Sequence, residues 1–495
     1  MNTVVKTRYG EVRGSVADGV STFKGIPYAA PPFGANRLRP PQPVAPWSGV
    51  RDALTYGPTP PKPPIPPEVL ALLPELTIPG EDYLNLNIWS PDLGPARRPV
   101  MVWIPGGMFE YGTAATAWYD GSRFARDGIV CVTINYRVGA EGFLYLGEGN
   151  ANRGLLDQLA ALQWVQENIA AFGGDPGNVT IFGESAGAMS VGMLLSMPRA
   201  EGLFHRAIAQ SGAAHNVISV AIARRIGRRL AEKLGVEATR EAIAAVPVDD
   251  LLAAQAELKA DLIANPDPER WGAEVVTTLL PWQPVVDGGV IPAPPLDRMA
   301  SGAGAGIDLM VGSNTDEHRL FLATSDAIDQ VTAEALAGAV AAYGLPVEAT
   351  LTAYRAAHPG ASAGDLLAAI QTDWYWRIPA LRLADAHARG GSATYMYEFA
   401  WRSPQFNGRL GACHSLEIAF VFDTLGNGTE PLFGTNPPQQ LADTMHAAWV
   451  AFAIRGDPGW PKYDLSRRAT MRFDTTSEVV DDPRSAERAL WEGVR

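Results

Sequence analysis

Cysteine is scarce in this chain: Cys131 and Cys413 are the only two among 495 residues. No CxxC spacing occurs, so neither a disulfide framework nor a thiolate metal site is indicated. Long apolar runs are also missing. No stretch reaches the roughly 18 apolar residues of a membrane span, and Met1 to Gly14 is polar, without the apolar core of a secretory leader. The expectation is a cytoplasmic protein with no membrane partner. Positive charge is in deficit as well, with 40 Lys and Arg against 53 Asp and Glu and a formal net charge of −13. A field of that sign repels polyanions, which argues against nucleic acid and favours a neutral small-molecule partner. The one basic cluster, Arg224, Arg225, Arg228, Arg229 and Lys233, has the spacing of a solvated helix stripe. No metal and no cofactor is expected.

What is present is an ordinary globular composition, 47% hydrophobic and 19% charged, enough to bury a large core. From Pro99 to Gly212 short apolar runs alternate with helical ones, the signature of parallel βαβ units. The runs Val100 to Ile104, Ile129 to Asn135, Val179 to Phe182 and Ala207 to Gln210 read as buried strands, and Leu309 to Gly312 and Thr394 to Phe399 as two more. Gly154 to Phe172 has helical spacing and ends at Gly173-Gly174-Asp175-Pro176. Two stretches with helical periodicity, about 215–271 and 327–388, read as insertions over the sheet, so 1–495 is expected to be one α/β domain. Pro58 to Pro67 reads as an extended polyproline-type surface loop.

Residues 183–187 are Gly183-Glu184-Ser185-Ala186-Gly187, a GxSxG between a strand and a helical run. A serine on so tight a turn takes strained dihedrals, and the residues two away on each side must be small. This context marks the nucleophile elbow of the α/β-hydrolase fold, a mostly parallel central sheet flanked by helices. A serine hydroxyl needs a base, and the base a carboxylate. In this fold both lie downstream, acid first. Asp316 and Glu317 follow the strand Leu309 to Gly312, and the pattern alone does not choose between them. Among His318, His358, His387, His414 and His446, His414 in the loop 407–414 suits the base: His387 and His446 sit in helical patterns, His358 in a turn, and His318 beside the acid.

These residues, with Phe23 to Ala29, Glu81 to Asn87, Asn135-Tyr136-Arg137, Gly154 to Gln158, Gln210-Ser211-Gly212 and Gly411 to His414 with Glu417, closely resemble the type-B carboxylesterase family, which includes bacterial para-nitrobenzyl esterases and the cholinesterases. The resemblance runs nearly the whole chain. It implies an ester hydrolase with a Ser185, His414, Glu317 triad and an oxyanion hole from the amides of Gly107, Met108 and Ala186. It gives Glu184 and Ser211 a supporting polar network, and it makes Arg37 with Glu81 and Arg137 with Asp157 structural ion pairs. Leu320 and Phe321 would line the acyl side, with Trp118 and Trp282 as further pocket candidates. The sequence departs from the family pattern at Pro105, where His or Tyr is usual, at Met108, where Gly or Ala is usual, and at Tyr83, where secreted relatives carry a disulfide cysteine. The function implied is a serine carboxylesterase acting on a small-molecule ester as a monomer or small homo-oligomer. An amidase, carbamate hydrolase or thioesterase would share the same triad.

Overall fold

Strands that are buried on both faces need no polar alternation, and the apolar runs of the sequence occupy the centre of one large sheet. The structure, a computed structural model, describes residues 2–65, 67–147, 151–325 and 327–494. The strands are β1 (Asn2–Lys6), β2 (Glu11–Ala17), β3 (Val20–Pro27), β4 (Val50–Asp52), β5 (Asn85–Ser90), β6 (Arg98–Ile104), β7 (Val130–Ile134), β8 (Gly174–Glu184), β9 (Arg206–Gln210), β10 (Ile218–Ser219), β11 (Val285–Val286), β12 (Asp308–Asn314), β13 (Thr394–Phe399), β14 (Ala469–Phe473) and β15 (Glu478–Asp481). Thirteen of them form one sheet in the order β1-β2-β3-β5-β7-β6-β8-β9-β12-β13-β14-β15, with β4 on β2. From β7 to β14 all neighbours are parallel. The pairings β1-β2, β2-β3, β3-β5, β5-β7 and β14-β15 are antiparallel. This is the α/β-hydrolase arrangement expected from the sequence.

Alternation along β6 divides the core into two layers. Val100, Val102 and Ile104 face one cluster with the helix Arg153–Asn168 and the helix Ala186–Ser196. Met101 and Trp103 face the other, with Phe182, Phe422 and the helix Gln439–Arg455. Between β9 and β12 the chain passes through the helices Val220–Leu234, Arg240–Ala244, Val248–Ala264 and Pro268–Trp271. Between β12 and β13 it passes through a further helical series ending in Ala363–Thr372, a π-helical turn at Asp373–Arg377 and Ile378–Arg389. No single helix among the described residues is long and apolar enough to cross a membrane.

Two expectations are corrected. The run Pro58 to Pro67 is not a surface loop throughout, although residue 66 lies outside the described residues. Thr59 and Lys62 are buried, because Thr59 exchanges backbone and hydroxyl hydrogen bonds with Ile78 and Lys62 pairs with Glu75. Arg37 pairs with Glu141 at 2.8 Å instead of Glu81, which is exposed. Glu141 sits on a short buried helix, Gly139–Phe143, that reaches the guanidinium. Arg137 and Asp157 do form a bidentate pair, at 2.8 and 2.7 Å, with both side chains fully buried.

Candidate active site

Parallel strands deliver their following loops to one edge of a sheet, and that edge is where ligands bind in open α/β folds. Ser185 directly follows β8, with φ 55° and ψ −124°, a region a non-glycine residue occupies only when its surroundings hold it there. The two flanking glycines explain how. A Cβ on Gly187 would sit 1.9 Å from the Ile104 carbonyl oxygen, and one on Gly183 would sit 2.7 Å from both the Gly187 carbonyl carbon and that same oxygen. The elbow is locked by the Ser185 N–H donating to Gln210 O at 2.9 Å and the Met189 N–H donating to Ser185 O at 2.9 Å.

The loop after β6 passes over the serine so closely that a Cβ on Gly106 would lie 3.0 Å from Ser185 Cβ. Gly107, Met108 and Phe109 then take three successive positive φ values, 114°, 56° and 58°. This folds the Gly107 carbonyl back to accept the Glu110 and Tyr111 amides at 2.9 and 2.8 Å. Among the described residues the amides of Gly107 and Met108 donate no hydrogen bond, and Ala186 begins a helix, where the first N–H groups have no intrahelical partner. Three free donors thus border the serine.

Glu317, three residues past β12, is fully buried. Its Oε1 accepts the Asn314 N–H at 2.7 Å, and its Oε2 lies 2.6 Å from His414 Nδ1. Asp316 turns the other way, toward Arg319 at 3.2 Å, Arg402 at 3.4 Å and the Ala412 N–H at 3.1 Å. His414 is in addition tied by its own N–H to Glu317 O at 3.1 Å. Its Nε2 lies 3.1 Å from Glu184 Oε1, which also accepts the Ser415 hydroxyl at 2.8 Å. No hydrogen bond joins Ser185 Oγ to the imidazole among the described residues; apo sites often close that contact only on the substrate.

A third buried carboxylate, Glu417, accepts from Asn314 Nδ2 at 2.8 Å and Gln210 Nε2 at 3.2 Å, and Trp449 Nε1 donates to Gln210 at 2.9 Å. Burial, followed by the proximity of Glu417, outweighs His414 and Ser415 and raises the Glu184 carboxyl to about 8. Burial works against a charged imidazole, but Glu184 and Glu317 outweigh it and bring His414 up to about 9. Ser211 does not join this network. Among the described residues its buried hydroxyl has no hydrogen-bond partner, and its own contribution is an N–H donated to Gly312 O at 2.9 Å. The sequence singled out neither Ser415 nor Gln210 as a hydrogen-bonding member; Ser415 directly follows His414, and Gln210, quoted only as part of a motif, ends β9 directly before Ser211.

Phe321, 38% exposed, lies over His414 with ring centroids 5.6 Å apart. Leu320, one residue earlier on the same short helix, points about 100° away and is buried in the second core layer. Trp118 lines a cavity of about 90 Å³ with Gly106, Gly107, Tyr119, Glu184 and Ser415. Trp282 belongs elsewhere, to a cavity of about 220 Å³ that also touches Glu110, Tyr111 and Lys259.

Known proteins match the chain along nearly its whole length. The sequence profile of the Carboxylesterase family matches residues 1–491. The para-nitrobenzyl esterase of Bacillus subtilis (strain 168) is 38% identical over 504 residues, covering 98% of this chain and 97% of its own. Liver carboxylesterase 1 of Oryctolagus cuniculus is 34% identical over 541 residues, covering 99% and 92%. A crystal structure of a Geobacillus stearothermophilus carboxylesterase superposes with a TM-score of 0.86 at 40% identity, covering 99% of this chain and all of the other. An elbow serine under free amides, on a chain matched from end to end by these proteins, places it in the carboxylesterase family, as a hydrolase of carboxylic esters.

Proposed function

We propose that the protein hydrolyses esters through an acyl-enzyme on Ser185, with His414 as base and Glu317 as its carboxylate partner. As Ser185 Oγ attacks the ester carbonyl, His414 Nε2 takes its proton. Glu317 on Nδ1 fixes the tautomer and stabilises the imidazolium. The amides of Gly107, Met108 and Ala186 receive the developing oxyanion. The imidazolium then protonates the departing alcohol, and a water deprotonated by His414 releases the acid. The observation that carries this reading is the meeting, at one strand edge, of the strained serine, the unpaired amides of the loop after β6 and the 2.6 Å His414–Glu317 pair.

The test is the hydrolysis of para-nitrophenyl esters from acetate to laurate by the wild type and by Ser185→Ala. The wild type should turn over these esters with one preferred chain length, and the variant should fall to background. A variant as fast as the wild type overturns the mechanism. Matched anilide, carbamate and thioester substrates then rank the bond types that the same triad would cleave.

A further inference from the structure

A π-helical turn, Asp373–Arg377, interrupts the helix that runs on from Ala363–Thr372 into Ile378–Arg389. Widening a helix by one residue worsens its hydrogen bonds, and such turns occur frequently at functional sites. This one is braced from behind. Arg377 donates to Asp373 twice, at 2.6 and 2.8 Å, and Tyr354 donates to Asp373 at 2.5 Å, all in the interior. The braced turn presents two consecutive aromatic rings to the acid-and-base region. Tyr375 stacks on His318, at 5.2 Å and 22°, and Trp376 stacks on His414, at 4.2 Å and 30°. Phe321 lies against both histidines, at 5.2 and 5.6 Å, so the rings form one continuous pile from Tyr375 to Trp376.

We propose that Trp376 is the positioning residue for His414, fixing the plane of the imidazole and favouring, through its indole face, the imidazolium formed when the ring takes the serine proton. This rests on the reading of His414 as the base. Trp376 is 5% exposed, so the contact is dry, and tryptophan offers the strongest aromatic face to a cation. Of the two stacked histidines only His414 is placed to carry charge, since desolvation and the neighbouring His414 push His318 down to about 3. The other groups facing His414 are Glu317 and Glu184 at its nitrogens and Glu417 behind them. The charges of the π turn itself, Asp373 and Arg377, are spent on each other.

The experiment compares Trp376→Met, which keeps apolar bulk but has no π face, and Trp376→Phe, which restores a face, using para-nitrophenyl acetate across pH 6 to 10. In the methionine variant kcat should fall about tenfold with KM within about twofold, and the acid limb should move to lower pH. Phenylalanine should recover most of both. A methionine variant with wild-type kcat, with only KM altered, or with an unmoved acid limb overturns the proposal. Should it not fold, by its thermal unfolding, a multiply fluorinated tryptophan placed at 376 keeps the shape and weakens the π face. Its acid limb should move the same way, and an unmoved limb with wild-type kcat overturns the proposal equally. Ser185→Ala is run alongside: activity retained there removes the underlying mechanism and not only the role of Trp376.

Discussion

Glu184→Gln keeps a hydrogen-bond acceptor in front of His414 Nε2 and removes its charge. The two groups are 3.1 Å apart and both buried. At an effective dielectric of about 20, unit charges at that separation attract by about 5 kcal/mol, the equivalent of about 4 pKa units. That figure is a ceiling, because the Glu184 carboxyl is itself raised to about 8 and becomes fully ionised only as pH rises past that value. A shift of about 1 to 2 units is the working expectation. Its direction follows from what the charge does. Glu184 stabilises the imidazolium and helps hold His414 up at about 9, so the base becomes free only as pH rises through that region. Without the charge the imidazolium is less stable, the base is freed at lower pH, and the acid limb of kcat/KM moves toward neutrality. The assay is the pH dependence of kcat/KM for para-nitrophenyl acetate at constant ionic strength, wild type against variant. An acid limb that stays in place, or moves to higher pH, refutes the reasoning.

Gly187→Ala should abolish activity and destabilise the fold by at least about 2 kcal/mol, because its Cβ would meet the Ile104 carbonyl at 1.9 Å; an active variant with an unchanged thermal midpoint would show the elbow to be less tightly packed than described. Met108→Ala should raise turnover of esters of tertiary alcohols relative to the wild type, since the half-buried thioether chain stands beside two of the free amides, and equal rates in both proteins would remove the steric argument. Arg137→Leu leaves the fully buried Asp157 without its guanidinium, holding only the backbone N–H of residue 137, and should cost about 3 to 5 kcal/mol, read as a fall in denaturation midpoint; a midpoint within error of wild type would contradict the pairing energetics.

The central parallel strands were readable because burial on both faces leaves runs such as Val100 to Ile104 without polar interruption. The start of β8 was not. Its register against β6 shifts between Arg98 and Val100, pairing Gly174 and then Val179, which carries the strand back across a proline that the sequence pattern treats as a break. The short and partly exposed β1, β2 and β4 gave no apolar run to find. At the site, the elbow glycines were legible because sterics demands them locally. The choice between Asp316 and Glu317 was not, since adjacent carboxylates differ only in the direction the folded loop gives them. The π turn is invisible for a similar reason. One extra residue in a helix leaves the local pattern helical, and its purpose lies in rings that belong to other segments. Arg37 was assigned Glu81 by resemblance alone, and only the placement of the Gly139–Phe143 helix reveals Glu141 as its partner.

The proposed nucleophile Ser185 follows β8, its proposed acid partner Glu317 follows β12, and His414 hangs from the loop after β13, while the two long helical excursions enter between β9 and β12 and between β12 and β13. The proposed reactive groups and the helical insertions are therefore carried by one scaffold, with Glu317 and the second insertion sharing the connection from β12 to β13. Residues can be added to or trimmed from the parts of the excursions remote from the site without moving the strands that carry the trio, whose spacing is completed by the His414 N–H on Glu317 O and by Trp376 on the imidazole. A lineage, or a laboratory library, can revise which molecules are admitted while inheriting the chemistry intact. Diversification confined to 215–271 and 327–364, with Tyr354 kept because it braces Asp373, is the economical place to search for new selectivity.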